Sequence, residues 1–128
     1  MLCIDLKRYH EMARHNELGR SGEEIAVAFL MRKGYVILER NWYLKHLELD
    51  IICRKGELLV VVEVKTRRGE EEHPEELLCF RKRRNIRRAA DAYIRLKNLD
   101  TEVRFDMLLI SGADMRIRHI EDIMHVFD

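Results

Sequence analysis

Residues 48–68, ELDIICRKGELLVVVEVKTRR, hold two runs of branched apolar residues separated by a single glycine. Such runs, bounded by a turn signal, read as two strands of a hairpin built for burial. Yet Glu48, Asp50, Glu63 and Lys65 are set into them, and ionised groups are costly to bury unless each finds a partner. With Lys55 and Gly56 as a two-residue loop, Arg54 faces Glu57, Asp50 faces Val61 and Glu48 faces Glu63. Side chains alternate along a strand, so Glu48, Asp50, Glu63 and Lys65 are expected to share one face. Leu49, Ile51, Cys53, Leu58, Val60, Val62 and Val64 fill the other. A hairpin of this kind needs packing partners, and the rest of the chain supplies them.

From Asn16 to about Lys33, Leu18, Ile25, Ala26, Phe29 and Leu30 recur at helical spacing until Gly34 stops the pattern. YVILERNWY then reads as a strand ahead of the hairpin. After the acidic loop GEEEHPEE, which holds the only proline, Pro74, a second helix is expected from Glu76 to about Leu96. Its buried stripe would be Leu77, Phe80, Ile86, Ala89, Ala90, Tyr93 and Ile94. EVRFDMLLI and MRIRHI close the chain as two further strands. The order, αβββαββ, predicts an α/β sandwich on a mixed sheet flanked by helices. At 128 residues the chain is expected to form one domain over residues 16–128, with residues 1–15 as an N-terminal extension. A hydrophobic content of 47% beside 37% charged residues excludes simple disorder.

The remaining composition narrows the functional classes. No apolar run approaches the roughly 18 residues that span a bilayer, and MLCIDLKRYHE lacks the apolar stretch of a secretory leader. Cys3, Cys53 and Cys79 form no CxxC and cannot all pair, so they are expected as reduced thiols of a cytoplasmic protein, Cys53 as a core residue. The six histidines have no ligand spacing, which argues against zinc. Neither serine lies in a nucleophile elbow, which argues against a serine hydrolase. Trp42 reads as core before it reads as a base-stacking surface.

Carboxylates opposed across strands have Cβ atoms about 5 Å apart, or about 7–8 Å on the diagonal, close enough to demand a proton or a cation. Asp50 and Glu63 could share a divalent ion, since Mg²⁺ takes carboxylate oxygens at about 2.0–2.1 Å. Lys65, two residues beyond Glu63, would then hold a water or stabilise developing negative charge. The plain alternative is a solvated polar face on which Lys65 neutralises Glu63. GRSGEEIAVAFL is expected to start a helix with Glu23 and Glu24 in its first turn, where carboxylates suit the dipole; one of them could also add a third acid to the site.

An acid on one strand followed by E-x-K on the next resembles the PD-(D/E)xK nucleases. The stretches HNELGRSGEEIAVAFL, GYVILERNW, ELDII, VVEVKTR, Pro74-Glu75, RFDMLLI and IEDIMHVF resemble the YraN-like family of predicted endonucleases. This resemblance implies a restriction-endonuclease-like core, similar to archaeal Holliday-junction resolvases. It maps metal-binding acids onto Asp50 and Glu63, the Val64 carbonyl as a further ligand, a catalytic lysine onto Lys65, an auxiliary acid onto Glu48 and the first-helix glutamate onto Glu23. Mg²⁺ or Mn²⁺ would be the cofactor.

FRKRRNIRRAADAYIRLK concentrates Arg81, Lys82, Arg83, Arg84, Arg87, Arg88, Arg95 and Lys97 against Asp91 alone. A solvated helix face explains such a run, but one sign of charge beside a candidate phosphodiesterase site points to phosphate binding. Arg67 and Arg68, leaving the strand of Lys65, are candidate backbone contacts. Asp106, in RFD, is expected to pair with a neighbouring arginine and support the site. The leading expectation is therefore a metal-dependent endonuclease acting on DNA by structure rather than sequence. The alternative is a non-catalytic nucleic-acid-binding module, and an adaptor for protein partners comes third. A homodimer enters only because cutting a four-way junction needs paired sites.

Overall fold

The computed structural model describes residues 16–68, 73–111 and 116–124; the extension expected over residues 1–15 lies outside them. Helix α1 (Asn16–Arg32) ends at Gly34, whose φ of 91° is left-handed. Gly34 N donates to the Met31 carbonyl and Tyr35 N to that of Leu30, so the last carbonyls of the helix are satisfied by a Schellman motif. The second helix, α2 (Phe80–Leu96), ends in the same way. Asn98 takes φ 52° and Leu99 N reaches the Ile94 carbonyl. Asparagine serves here because its short polar side chain tolerates the left-handed region.

The strands are β1 (Val36–Leu44), β2 (Leu47–Lys55), β3 (Leu58–Arg67), β4 (Val103–Ser111) and β5 (Ile117–Ile120). They form one sheet in the order β1-β2-β3-β4-β5. Pairing is antiparallel except between β3 and β4, which run parallel. A parallel pair needs a crossover connection, and α2 supplies it. The fold is thus α/β with a mixed five-stranded sheet between two helices, and its order is the αβββαββ of the sequence. No helix among the described residues is long and apolar enough to cross a membrane.

β3 is central and buried along nearly its whole length, which explains its unbroken apolar run. Ile51, Cys53, Val60, Val62, Leu108 and Ile110 pack under Ala26 and Leu30 of α1. Ile52, Leu59, Val61 and Met107 pack under Ile86, Ala89, Ala90 and Tyr93 of α2. Each Leu, Ile or Val buried in these layers contributes roughly 1.5–3 kcal/mol. Trp42 lies in the second layer, edge-on to Tyr93 with centroids 5.2 Å apart, and Cys53 is a buried thiol, as expected of both.

Three expectations require correction. The second helix starts at Phe80 rather than Glu76, because Pro74–Leu77 makes a separate 3₁₀ turn and Cys79 is extended at the N-cap. Phe80 is consequently 60% exposed instead of buried. The hairpin loop is Gly56-Glu57, since Lys55 pairs with Leu58 and Arg54 with Leu59. Gly56 has φ 60°, the conformation that tight hairpin loops reserve for glycine. The shift of two residues keeps most side chains on the expected faces but changes every cross-strand partner.

Candidate active site

The observed register pairs Ile51 with Val62, and the β2–β3 ladder stops there. Asp50 therefore comes level with Glu63, in place of the expected diagonal relation. The ladder ends because Asp50 interrupts it, with the Val64 amide donating to Asp50 Oδ2 at 2.9 Å. A side-chain carboxylate has replaced a backbone carbonyl at the point where the strands part.

On the neighbouring strand, Asn41 has a left-handed φ of 49° and both strands turn over. Arg40 pairs with Ile51 and reaches Glu24 of α1. Two residues on, Trp42 pairs with Leu49 and both lie in the α2-side core. The charged residues are divided accordingly. Glu63 and Lys65 follow Val61 on the α2 side, whereas Glu48, paired with Tyr43, falls on the α1 side. Leu49 joins the core opposite to the one expected. The single charged face read from simple alternation does not survive the turn-over at Asn41 and Asp50.

Glu63 is 2% exposed and Lys65 1%. Neither oxygen of Glu63 accepts a hydrogen bond from a described residue. The Lys82 ammonium lies 3.5 Å from Oε2, an ion pair without a hydrogen bond. Burial, and then the Asp50 carboxylate, push the pKa of the Glu63 carboxyl up to about 8, against the pull of Lys82 and Lys65. Burial also raises the Asp50 carboxyl; the Val64 amide and Lys82 oppose it, and Glu48 adds to it. Two carboxylates, one without hydrogen-bond donors, thus face each other in a low-dielectric setting that favours a proton or a cation between them.

Lys82, expected on a nucleic-acid surface, points inward instead. It stands one helical turn before Ile86, on the buried stripe of α2, and that spacing carried the signal. Arg83 turns back to the Leu78 carbonyl, and Arg87 is half-buried. Arg84 and Arg88 are exposed, with Arg84 beside the Phe80 ring. Arg68 is exposed, and Arg67 is half-buried with Nη1 on the Thr66 carbonyl at 2.9 Å. The outward basic face is therefore narrower than the run of eight suggests.

Glu23 and Glu24 lie beyond the first turn of α1, which begins at Asn16 rather than beside them, and Glu23 accepts from Asn41 Nδ2 at 3.2 Å with Arg40 at 3.7 Å. Tyr43, paired with Glu48 across the strands, is 60% exposed. The pKa of the Tyr43 hydroxyl is raised first by Glu48, then by burial, Asp50 and Glu23. No motif or spacing in the chain distinguishes Tyr43 beforehand.

Asp106 is buried and pairs with an arginine, as expected, but not in support of this site. Arg104 grips it with Nε at 2.8 Å and Nη2 at 2.7 Å. His119 Nε2 lies 2.8 Å from Oδ2, and the Asp122 amide donates to Oδ1 at 2.9 Å. Arg104 also donates to the Tyr35 hydroxyl, and the His119 ring packs on Phe29 of α1. The cluster is on the α1 side of the sheet, away from Glu63. Burial alone would raise the Asp106 carboxyl, but His119, Arg104 and the Asp122 amide together hold it below the ordinary range.

A groove of about 740 Å³ lies at the hairpin end against Arg54, Leu58, Leu99 and Glu102. Among the described residues no three of His, Cys, Asp or Glu converge as a metal cage. The αβββαββ order, the mixed sheet and an acid level with an E-x-K strand together define a restriction-endonuclease-like α/β fold.

Comparison with known proteins then fixes the family. The chain belongs to the uncharacterised protein family UPF0102, whose family model matches residues 22–110. It is 47% identical over 114 residues to a UPF0102 protein of Bacteroides thetaiotaomicron, covering 87% of this chain and 94% of that one. The figures are the same for a relative from Parabacteroides distasonis. A Flavobacterium psychrophilum member is 40% identical over 119 residues, covering 91% of this chain and all of its own length. The resemblance to the YraN-like family is borne out.

Proposed function

We propose that this protein is a divalent-cation-dependent endonuclease acting on DNA. The observation that carries the reading is Glu63: a buried carboxylate, level with Asp50, that takes no hydrogen bond from a described residue. Hard oxygen donors of this kind suit Mg²⁺ or Mn²⁺, and Mg²⁺ commonly keeps several waters and needs only one or two protein carboxylates. Asp50 and Glu63 would hold the ion, with the Val64 carbonyl as a further ligand. Bound there, it would polarise a scissile phosphate and lower the pKa of an attacking water. Lys65, on the same face as Glu63, supplies a positive charge to orient that water and offset charge developing on the phosphate. Glu48 and Tyr43 form the α1-side rim, with Glu23 behind them. Arg68, Arg84 and Arg88 offer phosphate contacts without a base-reading motif, which favours recognition by backbone and shape.

The test is cleavage of labelled duplex, single-stranded, flapped and four-way-junction DNA, with RNA alongside, in Mg²⁺ or Mn²⁺. Wild type is expected to cut at least one substrate, and Lys65→Ala and Asp50→Asn to cut at least ~100-fold more slowly. Cutting unchanged in both variants would remove these residues from catalysis.

One observation favours a second reading. The Lys82 ammonium already stands 3.5 Å from Glu63, as a resident counter-ion would in a nucleic-acid-binding module without catalysis. That module would bind DNA with the same strength in chelator and after loss of Lys65. In either case Arg84→Gln with Arg88→Gln is expected to reduce the salt dependence of duplex binding, by about 0.9 in log–log slope for each phosphate left without its arginine. Anisotropy titrations across a salt series measure it, and an unchanged slope would place DNA elsewhere.

A further inference from the structure

The cation nearest Glu63 is part of the chain. Lys82 holds its ammonium 3.5 Å from Glu63 Oε2, on a side chain only 13% exposed facing a carboxylate that is 2% exposed. It is delivered by the first turn of α2, a helix fixed to the sheet by Ile86, Ala89 and Tyr93. From these contacts, and on the reading that Asp50 and Glu63 bind a divalent ion, we propose that Lys82 is a built-in competitor for that ion.

A divalent cation within bonding distance of Glu63 would stand against an ammonium now at 3.5 Å. Like charges so close, and shielded from solvent, repel strongly. Entry of the ion therefore requires Lys82 to withdraw along its flexible stem, and the affinity of the site is the difference between the two cations. A lysine suits this role, since its compact charge sits on a flexible four-carbon stem. In the cation-free protein the same ammonium faces the Asp50–Glu63 pair at the point where the strands part. The site is thus closed by its own side chain until the free ion is abundant enough to displace it.

The experiment is calorimetric titration of chelator-treated protein with MgCl₂ and with MnCl₂, read beside the rise in unfolding temperature that each ion causes. Lys82→Met is expected to bind Mg²⁺ at least ~10-fold more tightly than wild type, a change of about 1.4 kcal/mol. Lys82→Arg, which keeps the charge, should remain within a few fold of wild type. Arg95→Met, which removes an exposed charge on the same helix, should not change affinity, separating a local effect from net charge. Circular dichroism establishes that each variant is folded, and Lys82→Gln, which also removes the charge and carries the same expectation, keeps the comparison decisive if methionine is not tolerated. Wild-type binding with Lys82→Met equal or weaker would overturn the competitor while leaving the metal site standing. Tightening by Lys82→Arg as well as by methionine would show that charge is not the cause. No binding by wild type or any variant would overturn both, making Lys82 the permanent counter-ion of Glu63.

Discussion

Asp106→Ala is expected to lower the unfolding free energy by about 3–5 kcal/mol at neutral pH, the usual cost of removing one partner from a buried ionic cluster. The carboxylate takes two bonds from Arg104, one from the Asp122 amide and a contact from His119. Its removal takes from Arg104 and His119 the carboxylate through which they join β4 to β5 and to the end of α1, leaving Arg104 with Tyr35 and Glu121. A domain of this size has roughly 5–15 kcal/mol in total, so the variant would stand near the edge of folding at physiological temperature. Asp106 is held below its ordinary value, so its contribution is present above the unfolded-state pKa and disappears as pH falls through the folded one. The gap between wild type and variant should therefore close in acid. Urea unfolding at neutral pH and at about pH 3 measures both, and a loss below about 1 kcal/mol at neutral pH would show the cluster to be incidental.

Glu63→Gln is expected to do the opposite. The unfolded chain releases this proton near the ordinary 4.5, whereas the folded protein holds it to about 8. Across that window the folded state binds the extra proton, so wild type loses stability as pH rises. Between about pH 5 and pH 7, in chelator, the variant should gain on wild type by roughly 2–3 kcal/mol, since each pH unit crossed inside the window costs wild type about 1.4 kcal/mol. Glutamine has no proton to lose and its amide can donate towards Asp50. Saturating Mg²⁺ should reverse the order, stabilising wild type and leaving the variant unmoved. Parallel pH dependences for the two proteins would mean that Glu63 ionises freely in the fold.

Element order, the αL stop at Gly34 and the pairing of β2 with β3 were legible because each rests on local chemistry: helical period, glycine, apolar alternation. The hairpin loop was misplaced because Lys55-Gly56 and Gly56-Glu57 both put the glycine in a two-residue turn. Only the pairing of Lys55 with Leu58 distinguishes them. The division of Glu48 from Glu63 was not legible, since it depends on Asn41 adopting a left-handed φ, and alternation counts assume that no residue does so. Lys82 was hidden among arginines, although its spacing to Ile86 placed it on the buried stripe. The Asp106 cluster brings Tyr35 to Arg104 and His119 to Asp106 through tertiary contacts, for which separation along the chain gives no cue.

The sheet also acts as a partition. The Asp106 cluster, which ties β4, β5 and the end of α1 together, lies on one face; Glu63, Lys65 and Lys82 lie on the other. Changes well separated in space tend to combine additively. A lineage could therefore retune the carboxylate side, exchanging Lys82, while the anchoring on the far face remained intact. Robustness and innovation are in this way assigned to opposite surfaces of the same five strands.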